Sequence, residues 1–230
     1  MSGKRQRANA GDGEKLREEI LEAAEALLIE SGTEEALTLR AVARRAGVTT
    51  PSVYLHFADK SALLEAVCLR VWGELAARML DYAGDVDDPL RQLGRCGRVY
   101  ANFALDHPVQ YRVLMMRPTS GLSPGADACF RHIAKAAAAC VDAGIMRGDP
   151  ESLAVGLWSA LHGCVTLLIA HPEFAWPDDR DTLIDNTIRM AGFGSVLASR
   201  IPREATPLSE ELTAGLDQLT AGWKAPKLSR

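Results

Sequence analysis

"LTLRAVARRAGVTTPSVYLHFADKSALLEAV", Leu37 to Val67, is the stretch on which the reading of the fold turns. It opens with Leu39, Val42, Ala43 and Ala46 at helical spacing, and with Arg40, Arg44 and Arg45 on the other side. Gly47 stops that short helix. A second short helix is expected from about Thr50 to His56, with Thr49 as its natural N-cap and Pro51 inside its first turn. Between them Gly47 supplies a tight turn, and Val48 pins one helix to the other. Two short helices joined at "AGVTT" fit a helix-turn-helix, whose second helix can enter the DNA major groove.

Upstream, residues 1–13 are rich in Gly, Asn and Lys/Arg and read as a flexible basic arm carrying Lys4, Arg5 and Arg7. From Glu14 onward, Leu16, Ile20, Ala23, Ala24, Leu27 and Leu28 recur every three or four residues. Glu18, Glu19, Glu22 and Glu25 fall mostly opposite them, which marks an amphipathic helix that Gly32 can close. Downstream, Asp59 or Ser61 caps a long fourth helix carrying Leu63, Leu64, Val67, Val71, Leu75 and Met79 to about Asp81. After "YAGDVDDP", helices are expected near 89–106, 108–116, 124–143, 150–170 and 178–199, with a weaker one at 209–222. Most start at or near a proline, whose missing N–H would be unpaired in a first turn anyway. No stretch reads as a strand, so the fold class is all-α. The expected organisation is the arm over 1–13, a helix-turn-helix domain over 14–60 whose fourth helix continues to about 81, a larger effector-binding and dimerisation domain over 61–222, and a tail over 223–230.

A chain of 230 residues with 47% hydrophobic content can bury a sizeable core. Apolar runs such as "GCVTLLIA", Gly163 to Ala170, fall short of the roughly 20 residues that span a bilayer. The N-terminal Lys and Arg lack the apolar stretch of a signal peptide, so a cytoplasmic location and no membrane partner are expected. The five cysteines, Cys68, Cys96, Cys129, Cys140 and Cys164, form no C-x-x-C pair. They read as reduced, mostly buried thiols, with a redox-sensing pair as the other reading. No metal site and no cofactor is expected. The net charge of −4 argues against indiscriminate polyanion binding, yet between Leu37 and Lys60 four bases, Arg40, Arg44, Arg45 and Lys60, face the single acid Asp59.

On the second short helix Val53 and Phe57 share an inward face, leaving Thr50, Pro51, Ser52, Tyr54 and His56 at or near the exposed side. Small hydroxyl and apolar groups can approach base edges and thymine methyls. Tyr54, His56, Lys60 and the Thr38 hydroxyl suit phosphate oxygens. Tyr54 and His56 can also pack their rings while presenting a polar tip.

These residues carry a resemblance. A threonine opening the first short helix, an Ala-Gly-Val turn, a Ser/Thr cap, then Tyr-x-His-Phe followed by a Lys and a Leu resemble the DNA-binding domain of the TetR family of bacterial transcriptional regulators. The resemblance spans about the first third of the chain. It implies that Thr38, Tyr54, His56 and Lys60 position the DNA backbone, while Thr50, Pro51 and Ser52 face bases and Thr49 caps beside them. Arg40 and the pair Arg44/Arg45 read either as phosphate contacts or as a solvated helix face. The arm reads either as a minor-groove contact or as a segment without one.

A single recognition helix reads few base pairs, so specificity calls for a symmetric dimer. The strong helices at 150–170 and 178–199 are the candidates. A stripe of Val155, Trp158, His162, Val165 and Ile169, with Leu161 and Leu168 beside it, and Leu183, Ile184, Ile188 and Phe193 on the other helix, would pair with a second copy as a four-helix bundle. "WSALHG", Trp158 to Gly163, resembles a Trp-x-x-x-His-Gly signature of one C-terminal subgroup of these regulators. Trp72, Phe103, Met115, Trp158 and His162 are the candidate effector contacts, for a small and largely apolar molecule. Each also reads as plain core, and His162 as a core histidine with a satisfied ring nitrogen.

The family resemblance implies a homodimeric repressor of double-stranded operator DNA, released by a small-molecule effector. A helical enzyme using a histidine, or a ligand-binding module without DNA contacts, is the alternative. No Ser/His/Asp or Cys/His arrangement, Gly-rich phosphate loop or metal motif supports the enzyme, and the binding module does not account for positive charge, hydroxyls and Tyr-x-His-Phe converging on one short helix pair.

Overall fold

The computed structural model describes residues 12–83, 87–116, 124–202, 204 and 207–222. Among them every regular element is a helix: α1 (Asp12–Ser31), α2 (Leu39–Arg45), α3 (Thr50–Tyr54), α4 (Lys60–Ala83), α5 (Pro89–Asp106), α6 (Pro108–Met116), α7 (Pro124–Asp142), α8 (Pro150–Ala170), α9 (Arg180–Ala198) and α10 (Ser209–Thr220). The arm with Lys4, Arg5 and Arg7, and the tail over 223–230, lie outside the described residues.

The starts of these helices are written locally. Thr38 accepts from the Ala41 N–H at 3.1 Å, Asp59 from Ala62 at 2.8 Å, Asp88 from Arg91 at 2.8 Å and Asp149 from Ser152 at 2.7 Å. Each satisfies one of the donors that a first turn leaves orphaned. The hydrogen bonds from Ser152 and Thr182 hold the carboxyls of Asp149 and Asp179 below the usual carboxylate range. Gly32 closes α1 with φ 71°, its N–H reaching the Leu28 carbonyl at 2.9 Å.

A continuous apolar core runs the length of the molecule. At the N-terminal end it holds Ile20, Leu28, Leu37, Val42, Val53, Phe57 and Leu63. α4 carries it onward through Val67, Val71, Trp72, Leu75 and Met79, which pack α4 against α5 and α7. Phe103, Cys129, Leu161, Val165 and Ile184 extend it between α5, α7, α8 and α9, and a smaller cluster around Leu93, Cys140, Met146 and Leu157 closes the far end. None of the five cysteines is in a disulfide. Burial pushes the thiol of Cys129 up to about 12 and that of Cys140 up to about 11, which suits inert core thiols.

Several expectations are corrected. The second short helix stops at Tyr54 rather than His56, because the N–H groups of His56 and Phe57 both turn to the Val53 carbonyl at 3.0 Å. α8 is 21 residues long and, by length and composition alone, apolar enough to cross a membrane, contrary to the reading of its apolar run as too short. Here it packs instead against α5, α7 and α9. The stripe assigned to a subunit interface is mostly turned inward: Leu161, Val165 and Leu168 are buried, and Trp158 and His162 are half-buried against the core. On α9, Ile184 is buried. Because α8 is apolar on nearly every side, its periodicity did not distinguish the inner face from the outer one. The large apolar side chains that do face outward are Val155 and Leu167 on α8 and Met190 and Phe193 on α9.

Candidate nucleic-acid interface and ligand cleft

The α2–α3 unit is built on three local devices. Gly47, at φ 67°, makes a turn that a side chain would strain, and the Val48 N–H closes it on the Ala43 carbonyl at 2.9 Å. Thr49 caps α3 by accepting from the Ser52 N–H at 3.3 Å, while the two hydroxyls lie 2.8 Å apart. Val53 and Phe57 then anchor α3, fully and nearly fully buried, with the Arg17 guanidinium 5.3 Å from the Phe57 ring centre.

That anchoring decides what remains outside. Thr38, Arg40, Arg44, Thr49 and Pro51 are exposed, and Thr50, Ser52 and His56 are half-buried. Tyr54 is 56% exposed, as its spacing from Val53 implies. Leu55 was not singled out from the sequence, yet at 84% it is the most exposed large apolar side chain among the described residues. A cue was available, because Leu55 follows Pro51 and Ser52 at the four- and three-residue intervals that share a helix face. Two bases are less free than their charge suggests. Arg45 makes a paired hydrogen bond to Glu30 of α1, at 2.6 and 2.7 Å, and so braces α2. The Lys60 ammonium donates to the Glu34 carbonyl at 2.6 Å, tying the start of α4 to the α1–α2 connection.

A second feature lies in the body of the molecule. A cleft of about 360 Å³ opens between α5, α7, α8 and α9, walled by Leu90, Leu93, Ile133, Leu157, Leu161 and Ile188. Of the candidate effector contacts Trp158 lines it, and so does Tyr100. Trp72 and Phe103 do not line it: both are core residues, Phe103 stacked on His107 with ring centres 4.6 Å apart. The side chain of Met115 lies outside the described residues.

His162 sits behind the cleft, in a cluster of uncharged polar groups. Tyr111 and Tyr100 bring their hydroxyls to within 2.6 and 2.9 Å of His162 Nδ1 and 2.8 Å of each other. Trp158 Nε1 points at the Tyr100 hydroxyl at 3.4 Å, and Thr166 Oγ1 lies 3.4 Å from His162 Nε2. One pattern uses each donor once: Trp158 to Tyr100, Tyr100 to Tyr111, Tyr111 to Nδ1, and Nε2–H to Thr166. It requires a neutral imidazole, and burial lowers the His162 pKa in that direction. Burial likewise raises Tyr100 and Tyr111, keeping both phenols neutral. Tyr100 and Tyr111 belong to separate helices 11 residues apart, so nothing in their local sequence announced that they would meet.

Comparison with known proteins agrees with both halves. Residues 20–67 match the model of bacterial regulatory proteins of the tetR family, and residues 93–191 match a tetracyclin repressor-like C-terminal domain. A Mycobacterium tuberculosis HTH-type transcriptional regulator, itself uncharacterised, is 31% identical over 170 residues, covering 72% of this chain and 76% of that protein. The chain belongs to the TetR family of transcriptional regulators. The class D tetracycline repressor of Escherichia coli is 30% identical over 105 residues, 46% of this chain and 42% of that one. Among solved structures, a Rhodococcus protein of unknown function superposes with a TM-score of 0.68 at 21% identity, covering 86% of this chain and 99% of that one, which shows a shared fold.

In this TetR-family chain the DNA-binding end and the cleft are joined by side chains as well as by α4. Adjacent residues of α6 face both ways: Tyr111 enters the His162 cluster, while the buried Gln110 donates to Glu25 of α1 at 3.4 Å. Arg70 of α4 reaches Glu18 and Glu25 on the same α1 face.

Proposed function

We propose that the protein is a cytoplasmic repressor that binds palindromic operator DNA as a homodimer and releases it when a small, largely apolar effector enters the cleft. The carrying observation is the outer surface of α2–α3, where short hydroxyl side chains, Tyr54 and exposed Arg40 and Arg44 converge on one helix pair braced from behind. In this reading Thr50, Pro51, Ser52 and Leu55 meet base edges, and Thr38, Arg40, Tyr54, His56 and Lys60 meet phosphates. Thr49 acts chiefly as the cap that orients α3. Residues 14–60 form the reading head and 61–222 the effector and dimer body.

The outward apolar side chains of α8 and α9 support the dimer, since a helix apolar on every side needs cover on every side. Release requires only that the ligand favour one of two arrangements of the head. A ligand pressing on Tyr100 and Trp158 would disturb Tyr111, and with it the α6 contact to Glu25, so the head would tilt about α4. An enzymatic reading finds less support, because both ring nitrogens of His162 are engaged by the hydroxyls of Tyr100, Tyr111 and Thr166 within the protein.

Selection of genomic duplex fragments by the purified protein tests the proposal. Recovery of an inverted repeat, bound with an affinity that falls steeply with salt, is the expected result. Duplex binding that is absent or insensitive to salt would refute it.

A further inference from the structure

The cleft has uneven chemistry, and that unevenness names its occupant. Its walls are apolar from Leu93 to Ile188. The polar groups at its inner end, the Tyr100 hydroxyl and the Trp158 indole, direct their hydrogens into the Tyr111–His162–Thr166 chain. Among the described residues no buried side-chain nitrogen or oxygen lacks a partner. A polar group pushed inward would therefore leave water and meet no spare donor.

The charged residues that line it, Asp88, Arg91 and Arg189, are all exposed, which sets them at the rim. Asp88 already caps α5, accepting from the Arg91 backbone N–H at 2.8 Å. Arg189 lies with its guanidinium carbon 5.2 Å from the Phe193 ring centre. Stacking occupies the face of a guanidinium and leaves its N–H edge for a second partner in the plane.

We infer that the cleft takes an amphipathic organic anion, its apolar body between α5, α8 and α9 and its single acidic head at the rim on Arg91 and Arg189. A volume of about 360 Å³ lies at the small end for ligand pockets, which favours a fused aromatic or short-chain acid. The inference deepens the ligand-release reading and rests on it only for the consequence at DNA. Gly94 offers a clean way to block the site: a Cβ there would meet only Ile188 Cγ2, at 3.7 Å, so a leucine side chain fits by occupying the cleft.

The test titrates the full chain, by fluorescence, with anilinonaphthalene sulfonate and with phenylnaphthylamine, which has the same rings and no acid group. The sulfonate should bind about tenfold more tightly than the neutral dye. Arg91→Gln combined with Arg189→Gln should erase that preference while leaving the neutral dye unaffected, and Gly94→Leu should weaken both dyes in a protein that melts like the parent. Equal or tighter binding of the neutral dye, a preference that survives loss of both arginines, or dye binding indifferent to Gly94→Leu overturns the assignment. Failure of both dyes to bind, with binding of the selected duplex intact, overturns the site but not the DNA-binding reading. A sulfonate preference that leaves duplex affinity unchanged upholds the site and removes ligand release.

Discussion

α3 and α8 both bring apolar side chains to the surface, but they are organised in opposite ways. α3 has five residues and exists because of its surroundings: a threonine cap, a left-handed glycine before it and two buried anchors, Val53 and Phe57. Its outward face is whatever those anchors leave over. α8 also starts on a cap, Asp149, behind a left-handed Gly148, but over 21 residues it is apolar in most directions, so neighbours rather than pattern decide which side is inside. Surface character at α3 is thus a local property, whereas at α8 it is a property of the whole assembly.

Four measurements probe that contrast. The largest effect is expected from Val53→Asp, which places a carboxylate without a partner at a fully buried position, at a cost of several kcal/mol. Duplex binding should fall beyond detection while dye binding in the cleft persists. A single calorimetric transition in which head and body melt together would show that the shared core couples the two regions more tightly than their separate logic suggests.

Next comes Lys60→Ala, expected to weaken binding about tenfold for every duplex sequence alike. If the ammonium meets a phosphate, the slope of log affinity against log salt should shrink by about 1. An unchanged slope would assign Lys60 to bracing the Glu34 carbonyl, to which it donates at 2.6 Å. Thr49→Ala removes the α3 cap and should cost about 1 kcal/mol of stability by denaturant titration, with Thr49→Ser restoring it. Full stability in the alanine variant would mean that burial of Val53 alone holds α3.

The smallest effect belongs to the His162 cluster. Burial lowers the His162 pKa in the folded protein from its ordinary value of 6.5, so the unfolded chain takes up the proton first as pH falls. The stabilisation is complete above about pH 6.5 and declines as pH drops through the folded value. His162→Gln should flatten stability against pH over that window alone. A variant curve as steep as the parent's would place the titration elsewhere.

The helix order was legible because caps and prolines write it residue by residue: Thr38, Thr49 and Asp59 cap as their positions imply, and Pro89, Pro108, Pro124 and Pro150 open their helices. So was the inward face of α3. Leu55 was missed because an exposed leucine in a short helix looks like core until the anchors are placed. Trp72 and Phe103 read equally as effector contacts or as plain core, because an aromatic on a body helix carries no mark distinguishing a cavity wall from core; both are buried and neither lines this cleft. Arg45 and Lys60 looked like two free charges, but Glu30 and the Glu34 carbonyl, distant in sequence, hold them.

The all-α class, the helix-turn-helix and the residues that cap, turn and anchor it are readable from the chain alone, because each depends on groups within four or five positions of one another. The cleft, the meeting of Tyr100, Tyr111 and His162, and the outward face of α8 and α9 emerge only once the helices are packed. Those depend on how separate helices lie together, and an apolar residue contributes the same hydrophobic free energy whichever neighbour covers it.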